Sequence, residues 1–236
     1  MKKTLLTSLC AVVALLAAAN ETITVKASKI TSIDASAGVT VNYTPGENIG
    51  VSVSVAPEMK PFVEVRMQGN ELFITTKNKV KGERRPFMTP ESVVATVTAP
   101  AITDFEVSSG ASINVLGTLD ISNSPLEIEA SSGASVTANG VSCRGLDADI
   151  SSGASITVKD LKTANLQAEA SSGASMTISG TASKVDFEVS SGASIDASGL
   201  MANKGNAEVT SGSTLLCNVK SLWSDADSTS TLDNKQ

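Results

Sequence analysis

Six acidic residues recur at one place in the chain. Glu106, Glu129, Asp149, Glu169, Glu188 and Glu208 each sit between two apolar residues just ahead of a Ser/Gly motif. Two residues earlier stand Asp104, Glu127, Asp147 and Asp186, with Gln167 and Asn206 at the corresponding places of the other copies. Carboxylates in such numbers suggest two chemistries. A pair flanking a cleft serves as acid and base, as in glycoside hydrolysis. A set of hard oxygens holds a cation such as Ca²⁺. The first chemistry needs long loops to build a cleft, whereas the spacing between 131 and 214 is nearly constant. Arg144, Lys159, Lys162, Lys184 and Lys204 are the positive residues across 101–214. The sequence contains no histidine, which excludes a Ser-His-Asp triad, a His-ligated metal and a His base. No catalytic or cofactor-binding residue is therefore assigned, and the expectation is a protein that is not an enzyme. The six acids form the one metal hypothesis, a divalent-cation column for Ca²⁺. No known calcium-loop spacing is present, so such a site is weak and shared between repeats.

The elements that position these acids are repeats. Ser-Ser-Gly-Ala-Ser occurs at 108–112, 131–135, 151–155, 171–175 and 190–194, and 210–214 reads Thr-Ser-Gly-Ser-Thr. The glycines are Gly110, Gly133, Gly153, Gly173, Gly192 and Gly212, spaced by 23, 20, 20, 19 and 20 residues. A fixed period of this size signals a solenoid with one coil per repeat. Apolar and polar residues alternate on both sides of each motif, as in Phe105-Glu-Val107 and Ile113-Asn-Val115. That is the period of a strand with one buried face. The reading is all-β: a parallel β-helix, a solenoid with about 20 residues per coil. Ile113, Val136, Ile156, Met176, Ile195 and Leu215 then stack in one inward column. Unbroken parity through the motif also points Ser109, Ser132, Ser152, Ser172, Ser191 and Ser211 inward. Gly140, Gly180 and Gly199 read as a second recurrent bend.

The earlier part of the chain reads as irregular coils of the same solenoid. Val39 to Tyr43 and Val51 to Val55 form strand, turn, strand, and Val63 to Met67 with Leu72 to Ile74 forms a hairpin-like pair about Gly69-Asn70. Residues 76–90 carry five basic residues and two prolines and read as a solvated basic loop. The regular repeats fill 101–214 of a single domain over 20–220, and 221–236 form a polar C-terminal cap or tail. Residues 1–19 have the charged start, apolar run and Ala17-Ala18-Ala19 site of an export signal. The apolar run is too short for a stable membrane span. Losing Lys2 and Lys3 with that signal takes the formal charge from −6 to −8. This balance argues against nucleic acid as a partner. Cys143 and Cys217 lie at different corners about four coils apart, near 19 Å along the axis, so no disulfide joins them.

Several segments together resemble a known family. They are Ala37-Gly38-Val39-Thr-Val41, Asn70-Glu-Leu72-Phe-Ile74, Val94-Ala-Thr-Val-Thr-Ala-Pro100 and the serial Ser-Gly motifs. The pattern is similar to that of the putative auto-transporter adhesin, head GIN domain family of exported Gram-negative proteins, over residues 22–216. The resemblance implies a right-handed single-stranded β-helix exported to the envelope, in the periplasm or at the cell surface. It supplies no catalytic residues. One departure is that the chain lacks a C-terminal run of alternating ten-residue strands for an outer-membrane barrel, so self-secretion is not expected. The expected function is a non-catalytic, adhesin-like binding module whose repeated ladders face a glycan or an envelope protein. The alternatives are a self-assembling envelope scaffold and a polysaccharide-acting enzyme.

Overall fold

A computed structural model describes residues 20–235; the expected export signal lies outside the described residues. The fold is a parallel β-solenoid built from three ladders of strands. On the first, residues 104–107, 127–130, 147–150, 167–170, 186–189, 206–209 and 223–226 stack in register. On the second, the strands after each motif stack, from Ser112–Val115 to Thr231–Asn234. A third, shorter ladder starts with 119–121, 141–143 and 161–163. Along these ladders each paired residue is hydrogen-bonded to the coil above or below, at about 4.8 Å.

Alternation makes the core. In Ile113–Val115 and its copies the inward residues are buried and the outward ones are not, and the predicted column from Ile113 to Leu215 is fully enclosed. Val, Ile, Leu and Ala fill the interior almost alone. Tyr43 and Phe105 supply the main aromatic contact, with ring centroids 5.8 Å apart. The buried Tyr43 hydroxyl donates to the Ala99 carbonyl at 3.1 Å and accepts from the Ile102 amide at 3.3 Å. Cys143 and Cys217 are both buried and free, in separate columns. Burial pushes the Cys217 thiol up to about 11, out of the range in which it would react as thiolate.

The motif itself forms a corner, and here the parity argument fails. The second serine and the glycine both adopt left-handed conformations, with φ of +52° to +56° for the serines and +70° to +73° for the glycines. The alanine amide donates back to the first serine's carbonyl at 3.1 Å, as from Ala154 to Ser151. Two consecutive positive φ values closed by that bond define a type I′ turn. Ser109 and its five counterparts are consequently exposed rather than inward. What lies inside the corner is the alanine column, Ala111 to Ala193, small enough to fit the bend. Ser213 takes the alanine slot in the last copy and meets its polar demand by donating to the Val189 and Thr210 carbonyls at 2.8 and 2.7 Å. The turn glycines from Gly110 to Gly192 each donate to the serine carbonyl of the next coil at 3.1–3.2 Å, so the corners stack like the strands.

The second set of glycines is not one bend. Gly140 (φ +71°) corresponds to Asp160 (φ +52°), whereas Gly180 pairs with Leu161 and Leu200, one position later. The coil from Gly173 to Gly192 is the 19-residue one, and the missing residue falls here: Val158 to Leu161 faces Ile178 to Gly180. Gly199 lies outside the left-handed region.

The N-terminal coils are stacked out of chain order, which the sequence reading did not anticipate. Residues 32–35 lie next to 104–107 on one side and 71–74 on the other, and 40–43 lie between 112–115 and 94–97. The chain therefore lays down 32–35 and 40–43 one coil inside the stack, then builds the terminal coil with 71–74 and 94–97, and returns at 104. That terminal coil is closed by antiparallel strands: Val63–Gln68 against Glu71–Thr76, Gly50–Val55 against Val93–Ala99, and Glu21–Val25 outside Gly50–Val55. The expected basic loop contains a short hairpin, Lys79–Val80 with Glu83–Arg84, and Arg85 ties it down by donating to the Ala37 carbonyl and the Thr76 hydroxyl.

The glycines offer a direct test of the register. A Cβ on Gly173 would meet nothing within 4 Å, so Gly173→Ala bears only the left-handed backbone cost of about 1–2 kcal/mol. A Cβ on Gly180 (φ +128°) would lie 2.2 Å from the Leu161 carbonyl oxygen, and Gly180→Ala is expected to cost more than about 3 kcal/mol. Urea unfolding of the two variants measures the difference. Coincident midpoints would contradict the close approach of these coils.

Candidate functional site

The six predicted acids form one column on the outer face of the first ladder. Pairing runs Glu106, Glu129, Asp149, Glu169, Glu188, Glu208, each directly beside the next. Two members escaped the sequence reading: Asp34 pairs below Glu106, and Asp225 above Glu208. A signal for Asp34 existed. Ile33-Asp34-Ala35-Ser36-Ala37-Gly38-Val39 repeats the layout of Phe105 to Ala111, and Ala37 and Gly38 share its left-handed turn, at φ +58° and +80°.

The column ends below on an aromatic ring. Phe73 pairs with Asp34, and the Arg66 guanidinium lies over its face, 3.8 Å from the centroid. The flanking column reads Glu71, Ser32, Asp104, Glu127, Asp147, Gln167, Asp186, Asn206, Trp223. Its two amides relieve the repulsion locally. Gln167 donates to Glu169 at 2.9 Å and Asn206 donates to Asp186 at 3.4 Å.

Stacking like charges has an electrostatic consequence. Partial burial, then neighbouring carboxylates, raise Asp34, Glu106, Glu127, Glu129, Asp147 and Asp149 above the ordinary carboxylate range. Glu188 is raised first by Glu169 and then by burial. Other acids behave oppositely because they accept hydrogen bonds. Asp120 and Asp196 are lowered by the Ser122 and Ser198 hydroxyls and amides. Asp227 is held well below the usual range, first by the Ser211 amide, then by the hydroxyls of Thr229 and Ser230. Its Oδ2 lies 2.7 Å from that amide. Thr229 and Ser230 accept from the Gly212 amide at 3.1 and 3.2 Å. In every other coil that glycine amide meets the next turn's carbonyl; in the last, these side chains take its place.

The second ladder carries a different surface. Thr40, Ser112, Ser135, Ser155, Ser175, Ser194, Thr214 and Thr231 form one outward column of hydroxyls. Beside it run Asn42, Asn114, Thr137, Thr157, Thr177 and Asp196. The Ser-x-Thr pairs of the sequence thus become a flat polar face. Where the third ladder meets the first, on the other side of the acids, lies a shallow groove lined by Pro125, Gly145, Asn165, Lys184, Asp147 and Asp186, and open to solvent.

These shifts fix how stability varies with pH. An acid raised in the folded state contributes stability that is complete below its unfolded value and is lost as pH rises through the folded value. An acid lowered in the folded state contributes above its unfolded value and is lost as pH falls. With unfolded values of 3.8 for Asp and 4.5 for Glu, the first set favours mild acid and Asp120, Asp196 and Asp227 oppose stronger acid. The melting temperature is expected to peak at about pH 4–5, around the ordinary carboxylate values, and to fall toward neutrality. Asp147→Asn/Asp149→Asn should melt higher than the parent at pH 7 and show a shallower fall. A melting temperature that rises steadily from pH 4 to 8 in the parent would contradict the assignment.

Solved structures share this fold, among them the following three. A putative adhesin from Parabacteroides merdae ATCC 43184 superposes with a TM-score of 0.79 at 17% identity, covering 92% of this chain and 97% of that one. A protein described as a putative lipid binding protein from Parabacteroides distasonis ATCC 8503 gives 0.74 at 16% identity, with 92% and 94% covered. A putative adhesin from the same strain gives 0.74 at 17%, with 91% and 96% covered. The sequence matches no curated protein. Among the described residues no helix is long and apolar enough to cross a membrane. The family model described as "Putative auto-transporter adhesin, head GIN domain" matches residues 29–233, nearly all of the described chain, and the chain belongs to that family.

Proposed function

We propose that the protein is a non-catalytic binding module, exported to the periplasm or cell surface of a Gram-negative bacterium, that presents its ladders to a glycan or an envelope protein. The observation that carries this reading is the hydroxyl face, where Ser135, Ser155 and Ser175 stand in one line with Thr137, Thr157 and Thr177 in the next. A row of identical donors at about 4.8 Å intervals suits a partner that is itself repetitive, because each added unit makes the same contacts. The adhesin description of the family supports a binding role. A non-enzymatic reading is supported by the acids, which form one long exposed column rather than a pair across a cleft. The export signal read at residues 1–19 supports the compartment.

The test is a glycan array and whole-cell binding screen with the purified protein, followed by titration with oligomers of any hit. Affinity should rise with oligomer length and fall at least tenfold, about 1.4 kcal/mol, in Thr157→Lys/Thr177→Lys. Length-independent binding would remove the repetitive-partner reading, and turnover of a polysaccharide would remove the non-catalytic one.

A further inference from the structure

The N-terminal end of the acid column differs from the rest of it. Asp34, Glu71 and Glu106 come from three adjacent rungs, and one carboxylate oxygen from each lies within 4.8 Å of the others. None of the three makes an ion pair among the described residues; the nearby Arg66 is engaged with Glu64 at 3.6 Å and Gln68 at 2.7 Å. A second observation is independent of the acids. Ser32 is only 8% exposed, and its hydroxyl is the one buried side-chain oxygen or nitrogen without a hydrogen-bond partner among the described residues. Ile33 and Ala35 point into the core, so Ser32 shares the outer face with Asp34. Register places it directly between Glu71 and Asp104. A buried hydroxyl left unpaired is unfavourable, and register sets this one beside Glu71 and two residues from Asp34 on the same face of the strand.

We propose that Asp34, Glu71, Glu106 and the Ser32 hydroxyl form a binding site for a hard divalent cation of calcium's class. The donor set is all oxygen, which suits Ca²⁺ or Mg²⁺ and not the softer transition metals. Adaptability separates those two: Ca²⁺ accepts irregular sets of about six to eight oxygens, whereas Mg²⁺ demands a near-ideal octahedron and keeps its waters. Carboxylates gathered from three different strands, one oxygen of each within 4.8 Å of the others, fit the adaptable shell. Four protein oxygens leave the remaining positions to second carboxylate oxygens and water, which is the pattern of a low-affinity extracellular site, with Kd about 10⁻⁴–10⁻³ M. The location gives the ion a structural role. Residues 34, 71 and 106 belong to the three rungs whose stacking order departs from chain order, so one cation pins together coils that the chain joins only through long connections. This site is independent of the ligand read on the hydroxyl face.

Isothermal calorimetry and thermal melts of the whole purified protein decide the matter, comparing about 5 mM CaCl₂ with MgCl₂ and with NaCl of equal ionic strength. The expected result is single-site Ca²⁺ binding and a melting-temperature rise beyond both controls. Asp34→Asn/Glu71→Gln should lose both effects while melting at least as high as the parent in the absence of calcium, because it relieves repulsion. Ser32→Ala should keep its fold and lose Ca²⁺ affinity several-fold. Glu188→Gln/Glu208→Gln, in the same column but far along the axis, should bind as the parent does. A calcium shift no larger than the NaCl shift would overturn the proposal, as would equal losses in the near and distant variants, which would mean diffuse screening along the column.

Discussion

The parallel ladder between coils is the constraint from which the rest of the molecule follows. Hydrogen bonds between equivalent residues demand that each coil spend the same number of residues on each face, or else absorb the difference at one point. The 19-residue coil shows what absorption requires. With one residue fewer between Ile178 and Gly180 than between Val158 and Leu161, the backbones approach so closely that only hydrogen fits on the Cα. Gly205 meets the same limit on an inner face, where a Cβ would lie 2.3 Å from Val185 Cγ2. Register also forces like residues onto like. That is favourable inside, where Ala stacks on Ala at the corner and β-branched residues stack in the faces, and unfavourable outside wherever the repeated residue is charged.

Much of this was legible because the constraint writes itself into the sequence as a period. Constant glycine spacing gives the solenoid, alternation gives the faces, and the two together place all six acids in one column. The errors arise where the chain leaves extended conformation or leaves chain order. Parity counting assumes a strand, and the type I′ corner breaks that assumption at a serine, a residue whose type does not announce positive φ; Ser152 at +52° looks no different in sequence from Ser151. The doubled-back N-terminal coils have no period to follow. The pair of Val63 to Met67 with Leu72 to Ile74 reads correctly as local, but nothing local says that Leu72 sits beneath Ile33, which in turn sits beneath Phe105. Asp34 and Ser32 fell out of the site for that reason, although the small-residue-Gly pair at 37–38 marked the same corner.

A stack of parallel coils has two open ends, and exposed ladder edges invite further pairing. The two ends are treated differently. At the N-terminal end, whole strands reverse direction, so the terminal coil is covered by antiparallel neighbours that do not continue the parallel pattern. At the other end, side chains imitate the missing coil. Asp227, Thr229 and Ser230 receive the corner amides of Ser211 and Gly212, and Asn234 both accepts from the Val219 amide and donates to its carbonyl at 2.9 Å.

The acid column is the feature least explained by folding alone, since a neutral outward residue would satisfy the same strand geometry without repulsion. Exposed charges along it are screened within about 8 Å, so most of the column bears a modest cost and gains a strongly hydrated surface that resists association. The balance shifts toward the N-terminal end. There Asp34 is half-buried, Phe73 closes the column from below, and Glu71 leans in from the flanking line, so water screens less and three negative groups share little space. Ser32 sits among them with its hydroxyl unspent. Elsewhere on the column the protein dilutes like charge with neutral donors, through Gln167 and Asn206. At Ser32 the neutral residue between Glu71 and Asp104 makes no hydrogen bond to either, so the dilution that Gln167 and Asn206 give elsewhere is missing where the acids crowd most closely.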